Sequence, residues 1–218
     1  MKISPSILAA NLTKLSESLG KLDINAADFI HLDIMDGHFV PPITFGEQIS
    51  AAIKKETTIA LDVHLMTSNP EAEVLKYIPL EPHNITFHYE ATKFPVRLAE
   101  QIRKSGIKPG IALNPSTPIA VIKDIYTFFD LFLIMTVEPG YYGQSFLPNS
   151  LARIAEFNEL RKSLSEKTDH FPLLEVDGGV NADNAVMLRE AQVDIAVAGS
   201  FVFKSDDPCA QIEILKGK

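Results

Sequence analysis

A chain of 218 residues, 46% hydrophobic and 22% charged, has the balance of a globular protein with ample core and fits one large domain or two small ones. Its formal net charge of −8 comes with no Lys/Arg block. That argues against a nucleic-acid or anionic-membrane partner and leaves backbone donors or a metal to hold any anionic ligand. The lone cysteine, Cys209, allows no disulfide within the chain and fits a reducing cytoplasm, and no apolar run is long enough to span a bilayer.

Short apolar runs alternate with amphipathic stretches throughout. The eight runs are Ile3–Leu8, Phe29–Asp33, Ile59–Leu65, Asn84–Phe87, Lys108–Leu113, Leu131–Met135, Leu173–Val176 and Ile195–Ala198. The stretches between them carry helix-start chemistry: Asn11 ahead of Leu12, Leu15 and Leu19, then Asn69-Pro70-Glu71, then Asn181-Ala182-Asp183 opening a helix to Glu190. A helix after every strand makes the strands parallel, and eight such units at this length predict a single (β/α)8 TIM barrel over residues 1–218. An open doubly wound sheet would show a glycine-rich fingerprint after its first strand, where this chain has Ser4-Pro5-Ser6-Ile7-Leu8-Ala9-Ala10-Asn11.

Barrel enzymes carry their chemistry at the carboxyl ends of the strands, and the ionisable residues fall there. Side chains alternate faces along a strand, so His31, Asp33 and Met35 share one face of the second run. By the same rule Asp62, His64 and Met66 share a face of the third, and Glu175 and Asp177 a face of the seventh. For one strand alone, a hydrogen-bonded His–Asp pair in the core is the simpler reading. Across three strands, buried imidazoles and carboxylates call for a stronger partner. His31, Asp33, His64 and Asp177 make a donor set for one divalent ion (Zn2+, Fe2+, Mn2+ or Co2+), whose charge the two carboxylates cancel.

Gly178-Gly179 follows the seventh run and Gly199-Ser200 the eighth, where barrel enzymes commonly build a phosphate site from backbone N–H groups. Taken singly, these are ordinary turn and cap glycines. The stretch Glu138–Phe146, with Gly140 and Gly143, reads either as a lid over the site or as a plain surface loop.

Several stretches resemble the ribulose-phosphate 3-epimerase family, and the similarity covers nearly the whole chain. They are Ser4-Pro5-Ser6-Ile7-Leu8, His31 through Pro41, Leu61 through Met66, Met135 through Gly140, Glu175 through Val180 and Ala198-Gly199-Ser200. The resemblance implies that His31, Asp33, His64 and Asp177 bind one divalent metal and that Asp33 and Asp177 are also the acid/base pair. It implies that Ser6 and His64 contact substrate, that Gly140, Gly143, Gly178, Gly179, Gly199 and Ser200 surround the substrate and its phosphate, and that Met35, Met66 and Met135 wall the reacting centre. The chain departs from the pattern at Tyr142, where the lid loop usually has a small residue, at Pro42, at Asn11 and at Leu80-Glu81-Pro82-His83. His88-Tyr89-Glu90 has ligand spacing, but the family does not use it for metal, so it reads as structural. His38, His83 and His170 read as loop or surface residues.

The implied activity is a metal-dependent 3-epimerisation of D-ribulose 5-phosphate and D-xylulose 5-phosphate. It proceeds through an enediolate, with two aspartates on opposite faces and Asp62 and Glu175 orienting the ligands from one step deeper. A D-allulose-6-phosphate 3-epimerase uses the same scaffold. A non-catalytic sugar-phosphate-binding barrel would be expected to lose a metal ligand, and all four are present; a decarboxylase relative would want a lysine that the matched strand ends lack. The expected partner is a small sugar phosphate, with no nucleic acid and no membrane. The expected location is the cytoplasm, and a homo-oligomer fits the habit of the family.

Overall fold

In the computed structural model, which describes residues 1–218, every run of the sequence becomes a parallel strand. The strands are β1 (Lys2–Pro5), β2 (Ile30–Met35), β3 (Leu61–Met66), β4 (Asn84–His88), β5 (Lys108–Leu113), β6 (Leu131–Met135), β7 (Leu173–Asp177) and β8 (Ile195–Ala198). They pair in the order β1-β8-β7-β6-β5-β4-β3-β2. The ring closes between β1 and β2 through a parallel bridge of Ser6 with His31 and a bond from Asp28 N–H to the Ile3 carbonyl at 3.1 Å. The fold is the (β/α)8 barrel that the alternation predicts. β1 is shorter than its apolar run, because the chain turns into 3₁₀ geometry over Ile7–Ala9.

The helices are α1 (Leu15–Gly20), α2 (Glu47–Glu56), α3 (Pro70–Tyr77), α4 (Pro95–Lys104), α5 (Ser150–Thr168), α6 (Ala182–Glu190), α7 (Ser200–Phe203) and α8 (Pro208–Lys216). Asn69 caps α3 with Pro70 in its first turn, and Asn181 caps α6 through a reciprocal bond with Asn184. Asn11 caps a 3₁₀ turn, Leu12–Lys14, that leads into α1. One expected helix is missing. Between β5 and β6 the chain makes two 3₁₀ turns, Ile119–Ile122 and Tyr126–Phe128. Pro115 and Pro118 interrupt the start of that stretch, and the branched side chains of Ile119, Val121, Ile122 and Ile125 resist a continuous helix.

The apolar core has two layers. Leu32, Ile34, Val63, Leu65, Ile134 and Val176 point outward from the strands and pack under the helices. Inside the barrel a smaller cluster, including Phe29, Leu131, Leu133, Met135 and Ile195, fills one side of the lumen. The remaining interior is polar: Ser4, His31, Asp62, Asn84, Thr86 and Glu175 are all buried there. No helix is long and apolar enough to cross a membrane.

Candidate active site

β2 and β3 pair with His31 beside Asp62 and Asp33 beside His64. The alternation that sends Leu32 and Val63 outward therefore turns all four polar groups into the barrel, and β7 brings Asp177 to the same end. His31 Nε2 lies 3.4 Å from Asp33 Oδ1 and 4.0 Å from Asp177 Oδ2. His64 Nδ1 lies 3.4 Å from Asp33 Oδ1 and 3.7 Å from Asp177 Oδ2. Donors about 2.1 Å from a tetrahedral first-row ion stand about 3.4 Å apart. Edges of 3.4 to 4.0 Å thus describe a slightly open coordination shell. Both facing nitrogens are buried and bond to no protein group, a costly arrangement unless something takes up the lone pairs. These residues fit one divalent cation.

A second layer aims the first. His31 Nδ1 lies 2.6 Å from Asp62 Oδ2, which also accepts the Ser4 hydroxyl at 2.9 Å, while Asp62 Oδ1 accepts the Asn84 amide at 2.6 Å. This fixes the proton of His31 on Nδ1 and directs the Nε2 lone pair at the cluster. His31, Asp62 and Glu175 also lie close together, but the 2.6 Å contact leaves no room for an ion between them. Burial opposes the charge on Asp62, yet His31 and its other donors hold it well below the usual carboxylate range. Burial and the charge of Asp62 push Glu175 the other way, well above the usual carboxylate range.

The two aspartates of the cluster are driven apart. Burial works against ionising Asp33, but His31 and His64 overcome it and keep Asp33 a carboxylate. Burial and then the charge of Asp33 push Asp177 up to about 7. His31 resists charging because it is buried, yet Asp62 and Asp33 outweigh that and hold its pKa well above the usual value. Two carboxyl groups with separated affinities are the pattern of an acid and a base in one site.

Several supporting contacts escape the sequence reading. The Ser6 hydroxyl donates to Asp33 Oδ2 at 2.5 Å. The Thr44 hydroxyl donates to the Asp33 carbonyl at 2.6 Å and accepts Met35 N–H at 3.0 Å, which fixes the end of β2. Asp36 accepts the N–H groups of His38, Phe39 and Ser68, tying the loops after β2 and β3 together. Those bonds outweigh burial and bring its pKa to about 2. His88, read as structural, is fully buried with Nε2 2.8 Å from His64 Nε2. Burial, with His64 nearby, lowers it to about 4. Strand alternation signals it, since Asn84, Thr86 and His88 share the inward face of β4. His38 is exposed, as expected.

Above the cluster opens a cavity of about 650 Å³, with Ser6, Asp33, Asp177 and the three methionines Met35, Met66 and Met135 in its wall. His31 and His64 lie beneath it, fully buried. Gly140, Gly143, Gly178, Gly179, Gly199 and Ser200 are all in its wall. The backbone N–H groups of Gly179, Gly199 and Ser200 bond to no protein acceptor, and Ser200 Oγ is buried without a partner. Gly179 sits at φ +70°, and a side chain there would collide with the Phe146 backbone nitrogen, so only glycine lets the loop after β6 seat against it. Gln144 Nε2 spans that loop, donating to the carbonyls of Glu138 at 2.7 Å and Tyr141 at 2.8 Å. Tyr142 is 62% exposed at the cavity mouth and leaves this turn intact. Lys204 is the one basic side chain in the wall.

A parallel barrel with two histidines and two carboxylates converging at its strand ends, beneath an open cavity, has the equipment of a barrel enzyme acting on a small polar molecule. A family profile described as the ribulose-phosphate 3 epimerase family matches residues 2–203. A ribulose-phosphate 3-epimerase of Mycobacterium tuberculosis is 41% identical over 214 residues, covering 98% of this chain and 91% of the relative. One of Bacillus subtilis is 38% identical over 217 residues, covering 100% and 99%. The chain belongs to the ribulose-phosphate 3-epimerase family, and it is an isomerase of the epimerase class. Among solved structures, a mutant tryptophan synthase α-subunit of Pyrococcus furiosus superimposes with a TM-score of 0.71 at 16% identity, covering 100% of this chain and 98% of that one. A 3-hexulose-6-phosphate synthase of Salmonella typhimurium gives 0.66 at 12%, covering 100% and 97%. At those identities they share the barrel.

Proposed function

We propose that residues 1–218 form one catalytic barrel, a metal-dependent 3-epimerase interconverting D-ribulose 5-phosphate and D-xylulose 5-phosphate. The observation that carries this reading is the buried quartet His31, Asp33, His64 and Asp177, with two orphaned imidazole nitrogens aimed at a common point. Inversion beside a carbonyl removes a carbon-bound proton from one face and returns one to the other, and a single fixed base does not reach both. Asp33 on β2 and Asp177 on β7 line the cavity from strands separated by β1 and β8. Asp33, ionised and steadied by Ser6, takes the proton from one face, and Asp177 on the opposite wall delivers one to the other; the roles reverse in the other direction. A bound divalent cation supplies Lewis-acid stabilisation of the negative charge that develops on the substrate oxygens. The methionines keep the reacting centre apolar. Turnover of D-ribulose 5-phosphate compared with D-allulose 6-phosphate tests the assignment; turnover of the hexulose phosphate alone would overturn it.

The substrate phosphate is held by backbone N–H groups around Gly178, Gly179, Gly199 and Ser200. A side chain at Gly199 would meet Ala9 Cβ at 3.0 Å and Ser6 Cβ at 3.6 Å, moving those amides. Gly199→Val is expected to raise KM about 10–100-fold, the value of a charge-assisted hydrogen bond. Unchanged kinetics in a folded variant would place the phosphate elsewhere.

Metal binding competes with protons here. Near pH 6 the metal-free protein keeps a proton on Asp177, and a second on His31, whose pKa is raised. Ligation requires both sites bare, so Zn2+ binding releases protons, and its affinity rises with pH through about 7. Calorimetry in buffers of different ionisation enthalpy measures the release; none at pH 6 would contradict the assignment.

A further inference from the structure

As a neutral metal ligand His64 carries one proton. Its Nδ1 faces Asp33 and Asp177 at 3.4 and 3.7 Å and has no protein partner. On the metal-site reading above, on which this inference rests, the proton therefore belongs on Nε2. Nε2 lies 2.8 Å from Nε2 of His88. Two ring nitrogens at that distance share one proton, so His64 donates, His88 accepts, and His88 keeps its own proton on Nδ1. That nitrogen makes no hydrogen bond and faces Glu90 Oε2 at 3.5 Å, so the carboxylate acts on it through charge alone. The other Glu90 oxygen accepts Asn114 N–H at 2.9 Å and the Thr117 hydroxyl, which anchors the carboxylate. The opposite order would place the proton of His64 on Nδ1, pointing into the ligand cluster.

We propose that His88, steadied by Glu90, is the positioning residue that fixes the tautomer and ring orientation of the metal ligand His64. The two histidine ligands are aimed by different means. A carboxylate, Asp62, stands directly behind His31, whereas a neutral imidazole stands behind His64 and sets the carboxylate of Glu90 one residue further out. That arrangement fixes a proton without adding a third negative charge in contact with the ligands. Packing holds the relay in place. The His88 ring lies edge to edge with that of His64, within 25° of coplanar and with centroids 5.0 Å apart, and it rests against Phe39 at 4.6 Å.

The test is titration of metal-free protein with Zn2+ against a competing chelator. His88→Phe keeps aromatic bulk but offers no acceptor, and it is expected to weaken Zn2+ binding about 10–100-fold. His88→Gln, whose side-chain carbonyl can accept from His64 Nε2–H, should restore most of that affinity, and Glu90→Gln should lose less than His88→Phe in the same direction. In 15N-histidine spectra of metal-free wild type at pH 8, His64 should be the Nε2–H tautomer, and His88→Phe should show a mixture. Wild-type affinity in folded His88→Phe, equal losses in His88→Phe and His88→Gln, or an Nδ1–H His64 in the wild type would each overturn the inference. If His88→Phe does not fold, wild-type affinity in Glu90→Gln together with an Nδ1–H His64 overturns it as well. A wild-type protein that binds no Zn2+ would instead remove the metal-site reading itself.

Discussion

Asp33→Asn and Asp177→Asn are each expected to lower kcat for epimerisation by at least about 10²–10⁴-fold, the usual cost of a lost general acid or base. Asparagine keeps the shape of the side chain but neither gives nor takes the proton, and it removes one negative charge from the ligand set. The two variants should fail differently. Asp33 is ionised and accepts a hydrogen bond from Ser6, so its loss also strands the Ser6 hydroxyl. Asp177 has its pKa raised to about 7 and faces the cavity. With metal content measured in each, deuterium uptake from solvent into the substrate carbon separates the faces. One metal-replete variant should exchange the proton of one epimer without inverting it, and the other should show the reverse preference. Near wild-type epimerisation by both metal-replete variants would sink the two-aspartate mechanism.

The part of this site legible in the sequence is the part that one strand determines. A period of two places His31 and Asp33 on one face and Leu32 and Ile34 on the other, and the barrel obeys it at β2, β3 and β7. Strand register then converts three separate patterns into one cluster, and register follows once eight parallel units close. What is not legible is reach between rings and loops. His88 sits at a position that alternation turns inward, but only the β3–β4 pairing shows its ring meeting His64. Likewise Thr44 and Ser68 act through loops whose paths no periodicity describes. The missing helix before β6 is a matter of local propensity: the strand–helix alternation suggested it, and proline with branched side chains overrode the alternation. Lys204 reads as one more surface lysine until the β8 loop folds it onto the cavity wall.

Removing the metal is expected to abolish activity and to lower stability together. Without a cation, the buried ends of β2, β3 and β7 hold two ring nitrogens with no hydrogen-bond partner beside the Asp33 carboxylate, and Asp177 retains a proton near neutral pH. A dication bound by Asp33 and Asp177 brings the local charge near zero and satisfies both nitrogens, so it binds the folded chain far better than the unfolded one. At a free metal concentration of about 100 times Kd this linkage adds about 2.7 kcal/mol, or about 5–10 °C in Tm for a chain of this size. Chelated protein should therefore melt earlier and show no epimerisation above background, and Zn2+, Fe2+, Mn2+ or Co2+ should restore both properties to differing degrees. His31→Ala should reproduce the metal-free state, because it deletes a ligand that Asp62 holds in place. It should then resist rescue by added metal. Full activity in a preparation shown to be free of metal would overturn the assignment, and the buried quartet would have to be read as a hydrogen-bonded acid/base cluster working on its own.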